Sequence, residues 1–172
     1  YFNLASGNVV RLNFGTSIAN VPTVTDLGNL SPANFANPTG FDLVKQGSNF
    51  YEFVINRTNG SIIRLDYGTS LLNVPAVVII GSLGASFVQP RDIKIYFENN
   101  NYYGYVSNEG NNTLVGMKFG NNITNVPVPT NFGNLGPLAQ PRGISEFFRD
   151  YDNVYGFVIN YFNNTITKVH YD

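Results

Sequence analysis

The sequence predicts an all-β chain built from four-stranded antiparallel meanders, and three observations carry that prediction. The first is a period. Residues 51–56 (YEFVIN) return at 103–108 (YGYVSN) and again at 155–160 (YGFVIN), 52 residues apart each time. A fixed period near 50 marks stacked or radially arranged supersecondary units. The second is patterning: short runs with alternating side chains are bounded by Asn, Gly, Pro and Ser clusters, the signature of strands and hairpins, and no segment has a helical period. The third is composition. The 26 Asn, 17 Gly and 9 Pro suit many short strands joined by tight turns, because Asn and Gly tolerate left-handed backbone.

In chain order, residues 8–15 (NVVRLNFG) match 61–68 (SIIRLDYG), so 1–15 read as the end of a preceding unit. Three units follow, 16–68, 69–120 and 121–172, each with four strand-like segments. The first segment opens on Asn20-Val21-Pro22, Asn73-Val74-Pro75 or Asn125-Val126-Pro127. Proline cannot donate to a ladder, which makes this the outermost strand. A Gly-rich loop then ends in Asn37-Pro38, Gln89-Pro90 or Gln140-Pro141. The second segment covers 41–45, 93–97 and 144–148, and the third is the recurring Tyr-x-aromatic-Val stretch. Polar turns at 46–49, 99–101 and 150–153 join these two as hairpins.

Strand alternation places Tyr51, Phe53 and Ile55 on one face and Glu52 and Val54 on the other. Gly104 and Gly156 stand where the first unit has Glu52, which predicts close approach on that face. The fourth segment covers 62–67, 114–119 and 166–171. It sets Ile63, Leu65 and Tyr67 against Ile62, Arg64 and Asp66, and repeats the first series as Val115, Met117, Phe119 and Thr167, Val169, Tyr171. Asn59-Gly60, Gly110-Asn111 and Asn163-Asn164 precede it and offer the positive φ of two-residue hairpin turns.

The expected architecture is a set of β-propeller blades forming part of a ring. A linear β-repeat array is the alternative, and a single β-sandwich fits three equivalent meanders less well. Propellers have about four to eight blades, so three units and one strand do not close alone. The chain opens on Tyr1 with no initiator Met. It is therefore expected to be a processed form or a segment of a longer protein, with further repeats or other copies completing the ring.

The composition also bounds function. A net charge of −1 lacks the basic footprint that nucleic acid or an anionic membrane requires. No apolar run approaches the roughly 18 residues needed to span a bilayer, so membrane insertion is not expected. With no Cys and a single His, His170, thiolate and imidazole metal sites are not expected, and neither is a cofactor. His170 stands where other units have Asp66 and Lys118, a tolerant polar position. Asp150 and Asp152 share a turn whose counterparts hold Gln46 and Asn99, so they read as solvated rather than calcium-binding. Asp42, Asp92 and Glu146 lie at or near the start of the second segment, which would line a propeller channel. They are the candidate carboxylates for a hydrolase or lyase. No catalytic residue is assigned.

Residues 141–144 (PRGI), 155–160 (YGFVIN) and 164–168 (NTITK) resemble NHL-type and related bacterial β-propeller repeats. The string Phe119-Gly120, Asn125-Val126-Pro127 and 131–136 (NFGNLG) resembles repeats of large Bacteroidetes surface proteins associated with gliding motility and type IX secretion. The resemblance runs over the whole chain. It implies an extracellular or cell-surface location and no established activity.

The expected function is binding or structural, an adhesive module presenting one face to a protein or glycan. The turn before the fourth segment and the loop before the second fall at one end of a meander. That end would carry Arg57, Asn59, Arg91, Asp92, Asn108, Glu109, Asn111, Arg142, Tyr161 and Asn163. It varies between units while the strands repeat, and variable loops on a rigid scaffold are where function usually resides. A self-assembling architectural repeat is the other alternative. Asn-x-Ser/Thr triplets begin at Asn29, Asn56, Asn59, Asn111, Asn122 and Asn163, and at this Asn content chance matches are expected.

Overall fold

The computed structural model describes residues 2–3, 7–30, 35–84 and 86–171. Their regular structure is entirely β. A first sheet has the order β1 (Phe2–Asn3), β2 (Asn8–Asn13), β3 (Thr23–Asp26). A second runs β4 (Pro38–Gln46), β5 (Asn49–Asn56), β6 (Ser61–Gly68), β7 (Ala76–Gly81). A third repeats it as β8 (Pro90–Glu98), β9 (Asn101–Asn108), β10 (Thr113–Gly120), β11 (Val128–Asn131). In the fourth, β12 (Pro141–Ile144) and β13 (Phe148–Asp150) pair with one side of β14 (Asn153–Asn160), and β15 (Thr165–Tyr171) with the other. All pairings are antiparallel, and no closed ring forms among the described residues.

The Asn-Val-Pro segments are edge strands, but each belongs to the sheet before it: β3 pairs β2, β7 pairs β6 and β11 pairs β10. Sheets and sequence units are therefore out of phase. These strands begin after the proline, at Thr23, Ala76 and Val128. The residues before them close a corner in which Asn20, Asn73 and Asn125 Nδ2 donate to the carbonyls of Phe14, Tyr67 and Phe119. Asp172 lies outside the described residues.

The two-residue turns join the second and third segments. Gly47 is left-handed in the first, Asn99 and Asn100 both in the second, and Tyr151 in the third. The turns before the fourth segment instead have four residues, because Asn56 pairs Ser61, Asn108 pairs Thr113 and Asn160 pairs Thr165. Only their last residue, Gly60, Asn112 or Asn164, is left-handed. The second segment of the last unit is broken rather than continuous. Phe147 packs against Tyr96 and Tyr105, ring centroids 5.4 and 4.8 Å away, and the Ser145 hydroxyl accepts the Phe157 N–H at 3.0 Å.

Successive sheets pack face to face. Tyr51, Phe53, Ile55 and Ile62 of the second sheet meet Val106, Val115, Met117 and Phe119 of the third in the largest core cluster. The other face of the second sheet buries Val54, Ile63, Leu65 and Tyr67. The alternation read from the sequence therefore separates two real cores, as pleated strands require. Leu114 continues the series against Ile144, Val158 and Val169 of the fourth sheet. Gly104 is crowded as expected: a Cβ there would lie 2.6 Å from Met117 Cε. On the fourth sheet the face opposite Gly156, the counterpart of the Phe53 face, is open. Phe157, Ile159 and Ile166 are 40%, 56% and 68% exposed, whereas Phe53, Ile55 and Ile62 are fully buried.

Candidate functional site: the arginine-rich loop end

The end where β5 turns into β6, β9 into β10 and β14 into β15 is built the same way three times. Asn37, Gln89 and Gln140, each before a proline, are left-handed with φ of 57°, 47° and 50°. That conformation is uncommon outside glycine, and Gln is not among the residues enriched in it. It aims two successive carbonyls at the neighbouring turn. Arg57, Glu109 and Tyr161 N–H donate to the carbonyls of Asn37, Gln89 and Gln140, and Thr58, Gly110 and Phe162 N–H to those of Ala36, Val88 and Ala139. A buried Asn completes the lock: Asn56, Asn108 and Asn160 Oδ1 accept from the N–H of Ala36, Val88 and Ala139. Their amide groups donate to Ser61, Thr113 and Thr165 Oγ. The four-residue turn is the length this double connection needs.

Each inner strand also shifts register just after its proline, at Thr39, Arg91 and Arg142. An extra residue there leaves the ladder and redirects its side chain. Thr39 Oγ1 reaches across to the Pro90 carbonyl at 3.0 Å. Arg91 and Arg142 instead converge on Glu109. Arg91 Nε donates to Oε2 at 2.5 Å, and Arg142 Nε and Nη2 donate to Oε1 at 3.1 and 2.7 Å. Arg57 Nε and Nη2 donate to Oε2 at 3.3 and 3.1 Å, and Nη2 also to Gln89 Oε1. Burial alone would raise the Glu109 pKa, but hydrogen bonds from Arg91, Arg142 and Arg57 outweigh it and hold the carboxyl near about 2. The Arg142 guanidinium lies 3.5 Å from the Tyr161 ring centroid.

Five of the ten predicted residues, Arg57, Arg91, Glu109, Arg142 and Tyr161, thus form one connected cluster. The other five are occupied differently. Asn59, Asn111 and Asn163 sit at the rim, where Oδ1 accepts from the hydroxyls of Ser61, Thr113 and Thr165. Asn122 does the same for Thr124. These triplets are turn hydrogen bonds, and the buried Asn56 is part of the lock. Ser31, needed by the Asn29 triplet, lies outside the described residues. Asn108 is fully buried in its lock and offers nothing to a ligand. Asp92 faces the next sheet, not the loop end.

No known family model matches this chain, and neither does any curated protein.

The inner strands β4, β8 and β12 carry the candidate carboxylates. Asp42 Oδ2 accepts from Ile95 N–H at 2.7 Å and Asp92 Oδ2 from Ile144 N–H at 2.8 Å. Their Oδ1 atoms accept from Leu43 and Ile93 N–H. Lys94, which the sequence did not single out, reaches Glu146 at 3.1 Å and Asp42 at 3.9 Å. Burial raises the pKa of both aspartates, with these backbone donors opposing it. Burial disfavours the Lys94 ammonium, yet Glu146, Asp42 and Asp92 hold its pKa above the ordinary lysine value. The arrangement ties neighbouring sheets together and leaves neither aspartate an unengaged oxygen.

A cavity of about 380 Å³ opens beside the first sheet, lined by Arg11, Leu12, Phe41, Leu43, Glu52 and Tyr67. Glu52 accepts from Tyr67 Oη at 2.7 Å, and burial raises the pKa of both groups. His170 contacts Asn153 Oδ1 at 2.9 Å and stacks on Tyr155, as a structural residue would.

Proposed function

We propose that the chain forms consecutive blades of an extracellular or cell-surface β-propeller, and that it binds a protein or glycan through the loop end described above. The observation that carries this is the backbone lock at that end. It recurs in three sheets while the side chain mounted on it changes from Arg57 to Glu109 to Tyr161. A fixed platform with exchangeable side chains is how rigid scaffolds host recognition. The blade arrangement is supported by β4 and β12 each lying against β8 while β3, β7 and β11 stay at the outer edges. The resemblance to NHL-type and Bacteroidetes surface repeats points the same way. A hydrolase or lyase is less well supported, because both oxygens of Asp42 and of Asp92 already accept from backbone N–H groups.

The test is retention of glycans and candidate surface proteins on the immobilised chain. Tyr161→Ala and Arg142→Ala are compared with Ser48→Ala and Asn100→Gly at the opposite end. Loss with the first pair and retention with the second is expected. Equal behaviour of the two pairs, or no retained ligand at all, sinks the reading.

A second reading, a self-assembling repeat, is favoured by the open face of the fourth sheet. Phe157, Ile159 and Ile166 occupy the positions at which Phe53, Ile55 and Ile62 bury against a following sheet. A second copy supplying such a sheet would form a head-to-tail contact. Sedimentation that depends on concentration and is abolished by Ile159→Lys is its expected signature; a concentration-independent monomer contradicts it.

A further inference from the structure

The loop end holds more guanidinium than carboxylate. Arg57, Arg91 and Arg142 all bond Glu109, so three positive charges meet one negative charge and two remain uncompensated, in a chain whose net charge is −1. Glu109 already accepts five N–H bonds, three on Oε2 and two on Oε1. An ionised carboxylate has about four lone-pair sites, so Glu109 has no capacity for more donors. Each guanidinium has five N–H groups in a planar fork suited to bidentate oxyanion binding. Arg91 commits only Nε to Glu109, and Arg142 commits Nε and Nη2, which leaves Nη1 and Nη2 of Arg91 and Nη1 of Arg142 for another acceptor. Both side chains are partly exposed. The Tyr161 ring lies against Arg142 and is exposed, and the next residue in the same turn, Phe162, is exposed as well.

Charge and shape together narrow the ligand class. A neutral glycan leaves the surplus guanidinium donors unanswered. A bare anion leaves the rings unused. A sugar ring bearing an oxyanion satisfies both, because its C–H face packs on an aromatic ring while its charged group takes the fork. Resting on the loop-end binding reading, we infer that Arg91 and Arg142 bind the carboxylate or sulfate group of an anionic saccharide, with Tyr161 and Phe162 against the sugar ring. Glu109 is a positioning residue: it gathers the three arginines and fixes the direction of their remaining N–H groups.

The test is titration calorimetry at fixed ionic strength with three probes: a galacturonate trisaccharide, a sulfated galactan oligomer and a neutral galactan oligomer. One or both charged probes are expected to bind, and the pair distinguishes carboxylate from sulfate ester. The neutral probe is expected to bind at least tenfold more weakly. Arg91→Gln is expected to weaken the charged probe about tenfold. Arg142→Lys keeps the charge but removes the fork, and is expected to weaken binding with little loss of stability. Circular dichroism and the melting temperature establish that each variant is folded. Equal binding of neutral and charged probes overturns the anionic class while the loop-end reading stands. Charged-probe binding that survives both arginine variants overturns the assignment to this cluster. No binding by any probe overturns the inference, and the loop-end reading is then decided by its own protein and glycan screen.

Discussion

Arg57 and Glu109 occupy the same position of adjacent repeats, 52 residues apart, and are bonded to each other through Arg57 Nε and Nη2. Each is the first residue of its four-residue turn, and each donates its own N–H to a left-handed pre-proline carbonyl, of Asn37 and Gln89 respectively. The backbone geometry is thus the same while the side chains carry opposite charge. Identical charges here would repel across the gap between sheets. The alternation Arg, Glu, Tyr along the three repeats lets one buried carboxylate serve arginines from three sheets.

The acid dependence of stability follows from that arrangement. The Glu109 carboxyl falls from an ordinary 4.5 to about 2 on folding. A depressed carboxyl contributes stability above its unfolded value, and that contribution is lost as pH falls through the folded value. The window is therefore pH 4.5 down to 2. The shift corresponds to about 3 kcal/mol, and partial exposure of the guanidiniums screens it, so Glu109→Gln is expected to cost about 2 kcal/mol at pH 7. Urea unfolding at several pH values checks this. The wild-type and variant curves are expected to converge near pH 2, and a constant gap across the window contradicts it.

The buried Asn lock gives a second prediction. Asn108 Oδ1 accepts from Val88 N–H, and Nδ2 donates to the Ser86 carbonyl and Thr113 Oγ1. Asn108→Ala strands these partners in a fully buried site, where each orphaned polar group costs about 1–3 kcal/mol. A loss of about 3 kcal/mol is expected, with a similar loss for Asn160→Ala. By contrast Asn111→Ala, which removes one turn bond from an exposed side chain, is expected to cost under about 1 kcal/mol. Chemical denaturation of the three variants checks the order.

The same residues mark what the sequence could convey. The period, the strands and the two-sided alternation of Ile62 against Ile63 and Leu65 were legible, because pleating and burial act on every residue of a strand. The sequence sets Asn108 on the loop face, whereas it is buried in the lock; its recurrence as Asn56 and Asn160 is the signal for that, since a lock must repeat and a ligand contact need not. The pairing of β7 with β6 rather than with the strands that follow was hidden, since the proline corner before it and the Gly-rich loop after it do not fix its partner. Lys94 was invisible because its partners, Asp42 and Glu146, come from the sheets before and after it. The convergence on Glu109 was half legible: its members were named as polar loop residues, but neighbouring turns 52 residues apart meet only through sheet packing.

Close approach of the inner strands yields a third prediction. A Cβ on Gly40 would lie 2.5 Å from Asp92 Cα and 2.7 Å from the Arg91 carbonyl oxygen. Both are backbone atoms of the adjacent sheet and cannot rotate away. Gly143 is the equivalent residue of the fourth sheet, and its nearest neighbour would be Ile159 Cδ1 at 3.5 Å, an ordinary contact. Gly40→Ala is expected to destabilise by about 2 kcal/mol or more through overpacking, and Gly143→Ala by less than about 0.5 kcal/mol. Paired melting curves check the contrast, and equal effects contradict the close approach.

Glu52 supplies a prediction of opposite sign to Glu109. It stands where the third sheet has Gly104, is buried beside Leu12, Phe41 and Leu43, and accepts a hydrogen bond from Tyr67 Oη. Burial raises its pKa above 4.5, and the Tyr67 bond only partly opposes that. A raised carboxyl favours the protonated folded state, so its contribution is fully present below pH 4.5 and is lost as pH rises through the folded value. Near neutral pH the ionised group therefore costs stability. Glu52→Gln keeps an acceptor for Tyr67 and removes the charge, and is expected to stabilise the chain by about 1 kcal/mol at pH 7. Because the amide does not titrate, the gain is expected to shrink as pH falls toward 4.5. Urea midpoints of wild type and variant from pH 4 to 8 decide the matter: a variant that is less stable at pH 7, or a gap that does not narrow in acid, contradicts a raised Glu52 carboxyl.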